Sequence, residues 1–101
     1  MAVSSRLSGD DKELVIRIDE RFDFSLHQQF RDTYNSITIR DLTYTLDLSQ
    51  TEYMDSSALG MILLLKDHVE LYAGKLIISR PSETVRKILE IAQFQRLMTI
   101  E

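Results

Sequence analysis

Apolar and polar positions alternate over ELVIRIDE, where Leu14, Ile16 and Ile18 fall on one side, and over LTYTLDLS, where Leu42, Tyr44, Leu46 and Leu48 do. A two-residue period is that of a half-buried strand. KLIIS (75–79) is a short apolar-rich strand, and Val3 to Leu7 can pair with ELVIRIDE as a hairpin across the turn residues of SGDDK. LMTIE at the end of the chain fits a last short strand. Between these runs the period changes to that of a helix. In FDFSLHQQFRDTYNSI, Leu26, Phe30 and Tyr34 recur at helical intervals and Ser25 and Gln28 have capping-box spacing, which predicts a helix over 26–35. DSSALGMILLLKDHVELYAG predicts a long helix that starts around Asp55 to Ser57 and ends at Gly74, placed as a left-handed cap. Pro81 and Ser82 open a third helix with Val85, Ile88, Leu89 and Ala92 as its apolar stripe. SQTEYM is expected to be a loop. The order β-β-α-β-α-β-α-β predicts an α/β sheet flanked by helices.

Composition narrows this little. A chain of 101 residues suits one small domain with one core, expected to take in everything from about Val3 onward. With no cysteine there is no thiolate nucleophile, zinc–thiolate cluster or disulfide framework. MAVSSRLSGDDKE has no apolar signal-peptide core, and the longest apolar run, Met61 to Leu65, is far short of a membrane span. A formal charge of −4 disfavours phosphate-backbone binding, so no nucleic acid and no membrane partner is expected. A cytoplasmic protein is the expectation.

Chemistry concentrates where the long helix begins. Asp55, Ser56 and Ser57 precede an apolar run, and such residues commonly satisfy the unpaired N–H groups of a helix start. At about 100° per residue, Ala58, Met61, Ile62, Leu65, Val69 and Tyr72 share the side that packs on the sheet. Ser56, Gly60, Leu64, Asp67 and Leu71 share the other side. Glycine inside a helix costs roughly 1 kcal/mol against alanine, so Gly60 invites an explanation. Close approach of another protein beside Ser56 and Leu64 is one; chance exposure of single leucines is the other. A phosphate on Ser56 would sit at the positive end of the helix, which tolerates an anion, yet would obstruct a partner packed there.

Enzymatic readings find little support. His27 and His68 are the only histidines, and His68 lies three turns beyond Ser56, roughly 18 Å along the axis, too far to activate its hydroxyl. Asp10–Asp11 and Asp19–Glu20 read as solubilising charges, and no glycine-rich phosphate-cradling motif is present. Neither a cofactor nor a metal site is expected. Arg80, Arg86 and Lys87 near a helix start can attract an anion, although mixed charges of this kind usually mark a solvated face.

The stretch LDLSQTEYMDSSALGMILLL resembles the signature of STAS domains, in particular the bacterial anti-sigma factor antagonists: a strand ending in D-L-S, a short loop, then M-D-S-S/T-G-L-G opening a helix. IRIDERFDFSLHQQF resembles the family's strand, G-x-L/F-D element and first helix, and KLIISRPSETVRKILEIAQFQRLMTI its closing strand, helix and strand. The resemblance implies one STAS domain over 1–101, with a mixed sheet of about five strands flanked by helices. It also implies partner switching. A serine kinase of the histidine-kinase-like ATPase type, itself the anti-sigma factor, phosphorylates the serine that follows the motif aspartate, here Ser56. A PP2C-type phosphatase, in some systems part of a response regulator, removes the phosphate. The bare form binds its partner and the phosphorylated form is released. Asp23, Asp55, Ser57, Gly60, Leu64 and Asp67 are the expected partner surface. Two positions depart from the pattern: Glu20 stands where glycine is usual, and Ala58 replaces the glycine after the serine pair. Stand-alone relatives with that alanine resemble regulators of biofilm, motility or secretion. A ligand-sensing or constitutive interaction module is the alternative reading.

Overall fold

The alternating runs form a five-stranded sheet in the computed structural model, which describes residues 2–101. The elements are β1 (Val3–Leu7), β2 (Glu13–Ile18), β3 (Glu20–Phe22), α1 (His27–Asp32), β4 (Thr43–Asp47), β5 (Thr51–Met54), α2 (Ser56–Leu71), β6 (Lys75–Ser79), α3 (Glu83–Ile91) and β7 (Thr99–Ile100). Strand order is β1-β2-β4-β6-β7, with β1 antiparallel to β2 and every other pair parallel. Each parallel step requires a crossover, and α1, α2 and α3 supply them.

One row of each central strand is buried: Leu14, Ile16 and Ile18 on β2, Tyr44 and Leu46 on β4, Leu76 and Ile78 on β6. These join Phe30 of α1, Ala58, Met61, Ile62, Leu65 and Val69 of α2, and Val85 and Leu89 of α3 in a single core. The opposite row, including Val15, Arg17, Thr45, Asp47 and Ile77, stays partly or fully in contact with solvent. The sheet therefore rests its apolar face on the helices, and its rows set which face of α2 is hidden.

Four local expectations change. SQTEYM is not simply a loop: Thr51–Met54 is β5, and it pairs in parallel with β3 as a separate two-stranded ribbon. Three- and four-residue strands joined in parallel leave neither a long alternation nor a turn signal in the sequence. The first helix is shorter than 26–35, being a 3-10 turn over Phe24–Leu26 followed by α1. Its cap is Asp23, whose carboxylate accepts from Ser25 N–H at 3.0 Å, while Gln28 instead bonds Asp32 further along. The last strand keeps only Thr99–Ile100 of LMTIE.

Gly74 is the fourth. The left-handed residue ending α2 is Ala73, at φ 56°, and Gly74 has no positive φ. Ala73 N–H bonds Glu70 C=O at 3.1 Å and Gly74 N–H bonds Val69 C=O at 2.8 Å, the pair of bonds of a Schellman cap. Glycine is needed at 74 for space, since a Cβ there would lie 2.6 Å from the Leu42 carbonyl oxygen. Gly74→Ala is expected to lower the unfolding free energy by at least about 2 kcal/mol in urea titration, because backbone rather than a flexible side chain must yield. A neutral result would contradict this close approach.

Candidate functional site

The β3–β5 ribbon brings two distant segments to one place. Phe22 pairs with Met54, and both are buried beneath the ribbon. On its outer face Arg21 stands opposite Tyr53, and the next residues outward on the two strands are Asp23 and Asp55. Asp55 N–H bonds the Phe22 carbonyl at 3.4 Å, which ties the two strand ends together. Each aspartate is then a helix cap, so two helix starts emerge side by side.

Asp55 holds the start of α2 with one oxygen. Its Oδ1 accepts from Ser57 N–H at 3.1 Å, Ala58 N–H at 3.2 Å and the Ser57 hydroxyl at 2.6 Å. The two serines are thereby distinguished. Ser57 is half-buried and its hydroxyl is committed, whereas Ser56 is exposed and its side chain makes no hydrogen bond among the described residues. Ala58 is fully buried in the first helical turn without a left-handed backbone, so alanine fits where the signature has glycine.

Asp23 is half-buried. Bonds from the Ser25 hydroxyl, then from its N–H and from Arg21, outweigh desolvation and hold the Asp23 carboxyl below its ordinary range. Arg21 lies over the Tyr53 ring at 4.6 Å and reaches Asp23 with Nε at 3.4 Å. Glu20, the other departure from the signature, has φ 63° beside an irregularity in the ribbon register. That left-handed backbone gives glycine its place in the pattern, and a glutamate must hold it against steric resistance.

Down α2 the outward side is as the spacing requires. Ser56, Gly60 and Asp67 are exposed, as are Leu64 at 54% and Leu71 at 68%. Nothing lies within 4 Å of a Cβ built on Gly60, so no internal contact explains the glycine. Beside this stripe, α1 and α2 form a shallow groove lined by His27, Phe30, Arg31, Tyr34, Met61 and Leu64. Phe24, 65% exposed, stacks on His27 with ring centroids 5.1 Å apart. Exposed Phe24 and Tyr53, with Arg21, thus flank the capping aspartates, and sequence spacing alone did not single them out. Their signal was position, each one or two residues from a capping aspartate.

The remaining candidates lie apart. His68 donates from Nε2 to the Ile37 carbonyl at 2.8 Å and packs among Tyr34, Tyr44 and Tyr72. Arg80 pairs with Asp47 at 3.3 Å, Arg86 donates to the Glu101 carbonyl at 2.8 Å and Lys87 lies 3.9 Å from Glu83, so the three do not converge on an anion site. No helix among the described residues is long and apolar enough to cross a membrane.

Two substitutions separate what the fold needs from what it tolerates. Asp55→Ala removes the cap and is expected to destabilise by about 1 kcal/mol. Gly60→Ala is expected to stabilise the isolated chain by up to about 1 kcal/mol, since the added methyl meets open space. Thermal and urea unfolding measure both; a destabilised Gly60→Ala would mean the helix itself requires that glycine.

The family model for the STAS domain matches residues 4–101. A STAS-domain containing protein of Pseudomonas aeruginosa (strain UCBPP-PA14) is 45% identical over 100 residues, covering 99% of both chains. The anti-sigma F factor antagonist of Lysinibacillus sphaericus is 28% identical over 81 residues, covering 78% of this chain and 69% of the relative. Among solved structures, the anti-sigma factor antagonist SpoIIAA in its unphosphorylated form superposes with a TM-score of 0.80 at 24% identity, over 99% of this chain and 88% of that one. The phosphorylated form of the Bacillus protein gives 0.72 at 24% identity, over 99% and 91%. The fold is thus that of an anti-sigma factor antagonist, and the chain belongs to the STAS domain family.

Proposed function

We infer that the chain is a partner-switching signalling protein, which binds a regulatory partner while bare and is released when Ser56 is phosphorylated. The observation that carries this is the division of labour at the helix start. Asp55 engages the Ser57 hydroxyl at 2.6 Å, and the Ser56 hydroxyl is left exposed. A kinase can therefore reach Ser56 without dismantling the cap.

In the transfer, the Ser56 oxygen attacks the γ-phosphorus of ATP, the bond to the β–γ bridging oxygen breaks and ADP leaves with the electron pair. The hydroxyl proton passes to a base of the kinase. Hydrolysis by a phosphatase returns the hydroxyl and inorganic phosphate. The added group carries about −1.5 to −2 charges beside a helix N-terminus, so the fold survives it. A partner seated on Gly60 and Leu64 would instead have to desolvate it. Support for this reading comes from SpoIIAA, which has been solved in both phosphorylated and unphosphorylated forms on the same fold.

The partner surface in this reading is Asp23, Asp55, Ser57, Gly60, Leu64 and Asp67. The partners are an anti-sigma factor-like kinase of the histidine-kinase-like ATPase type and a PP2C-type phosphatase. The chain acts by binding and carries no catalytic group of its own. Incubation with the cognate kinase and ATP is expected to add one phosphate to the intact mass of wild type and Ser57→Ala, and none to Ser56→Ala. Addition to Ser56→Ala with loss in Ser57→Ala would overturn the assignment.

A further inference from the structure

Phosphate on Ser56 would enter an acidic neighbourhood. Residues 20–26 and 51–60, which make the ribbon and the starts of both helices, carry Glu20, Asp23, Glu52 and Asp55. Arg21 is the only basic residue in those segments. Glu20 and Glu52 face a separate cleft at the far end of the ribbon, but the capping carboxylates of Asp23 and Asp55 stand together at the two helix starts, and a dianion beside them is disfavoured unless a cation approaches it. Of the other basic side chains, Arg17 is paired with Asp19 and lines the cleft of Glu20 and Glu52, while Arg31 and Lys66 lie further along α1 and α2, Lys66 paired with Glu70.

Arg21 is arranged to be that cation. Its guanidinium makes one long contact, Nε to Asp23 at 3.4 Å, and its terminal amino groups have no hydrogen-bond partner among the described residues. The side chain is 65% exposed, and an exposed ion pair of this kind contributes little and is readily exchanged. Tyr53 supports it from below at 4.6 Å, so the guanidinium can slide across the ring rather than leave it. Arg21 and Tyr53 are cross-strand partners, and Ser56 follows Tyr53 by three residues. β5 ends at Met54, so an extended path at about 4.8 Å across and 3.3 Å along sets an upper bound of roughly 11 Å between the Arg21 and Ser56 α-carbons. An arginine and a phosphoserine together span that gap.

Building on the assignment of Ser56 as the phosphoacceptor, we propose that Arg21 is the intramolecular counter-ion of that phosphate. It exchanges its single bond to Asp23 for a two-pronged one to the phosphate oxygens, the geometry guanidinium favours. The exchange also releases the Asp23 carboxylate from its cation. Phosphorylation then changes the outer face of the ribbon as well as the helix stripe, replacing an Arg21–Asp23 pair with an Arg21–phosphate pair and a free acid. Arg21 here is a positioning residue and takes no part in phosphoryl transfer.

The test uses the full chain with phosphoserine installed at position 56 during translation, so that no kinase is needed. The second ionisation of the phosphate is followed by phosphorus NMR across pH 5 to 8. A neighbouring cation favours the dianion and lowers that pKa. Arg21→Gln is therefore expected to raise it by about half a pH unit, Arg21→Lys to restore most of the difference, and Asp23→Asn to move it down. Amide spectra of the variants report whether the fold is retained, as the exposure of Arg21 leads one to expect. Coincident titration curves for wild type and Arg21→Gln would overturn the proposal. A chain that no kinase modifies would instead refute the phosphoacceptor assignment while leaving this titration intact, so the two failures are distinguishable.

Discussion

The carboxylate of Asp55 is the contact on which the functional geometry turns. One oxygen takes the N–H groups of Ser57 and Ala58 and the hydroxyl of Ser57. This satisfies donors that a helix start would otherwise leave bare. It also sorts two adjacent serines, chemically identical in the sequence, into a structural one and a free one. The cap depends in turn on the ribbon, because Asp55 N–H is held by Phe22 C=O and the ribbon is anchored by buried Phe22 and Met54. The core, the ribbon, the cap and the exposed hydroxyl form one chain of dependence.

Stability and signalling make different demands on this region. Gly60 weakens α2 without easing any internal contact, and Glu20 holds a left-handed backbone that glycine would adopt freely. Gly60 lies on the surface assigned to the partner, and Glu20 opens the strand that leads to Asp23. Gly74 is the contrasting case, a glycine wanted by the fold itself because the Leu42 carbonyl passes close by. Cβ clearance distinguishes the two kinds of glycine, and sequence spacing alone cannot.

Much of the architecture was legible in hydrophobic period. The alternations around Ile16, Tyr44 and Ile78 fall on the central strands, and the 3.6-residue spacing from Ala58 to Val69 separates the buried and exposed sides of α2. What escaped was built from long-range or three-dimensional facts. The β3–β5 pairing joins segments about thirty residues apart through strands too short to show a period. Asp23, rather than Ser25, caps the first helix because the ribbon fixes where that helix begins. The left-handed residue is Ala73, whereas Gly74 answers the close approach of the Leu42 carbonyl. At the site, the resemblance pointed to Ser56 by position. That the Ser57 hydroxyl is occupied, and that the ribbon brings Arg21 and Tyr53 together beside the two capping aspartates, required the fold.

In the proposed switch, a phosphate on Ser56 acts at the surface, by excluding a partner from α2. The most direct measurement is the affinity of the cognate kinase for the chain with serine and with phosphoserine at position 56, by titration calorimetry in the absence of ATP. Measurable binding of the serine form is expected, with a loss of at least about a hundredfold, equivalent to nearly 3 kcal/mol, for the phosphoserine form. Equal affinity for the two forms would rule out such a switch.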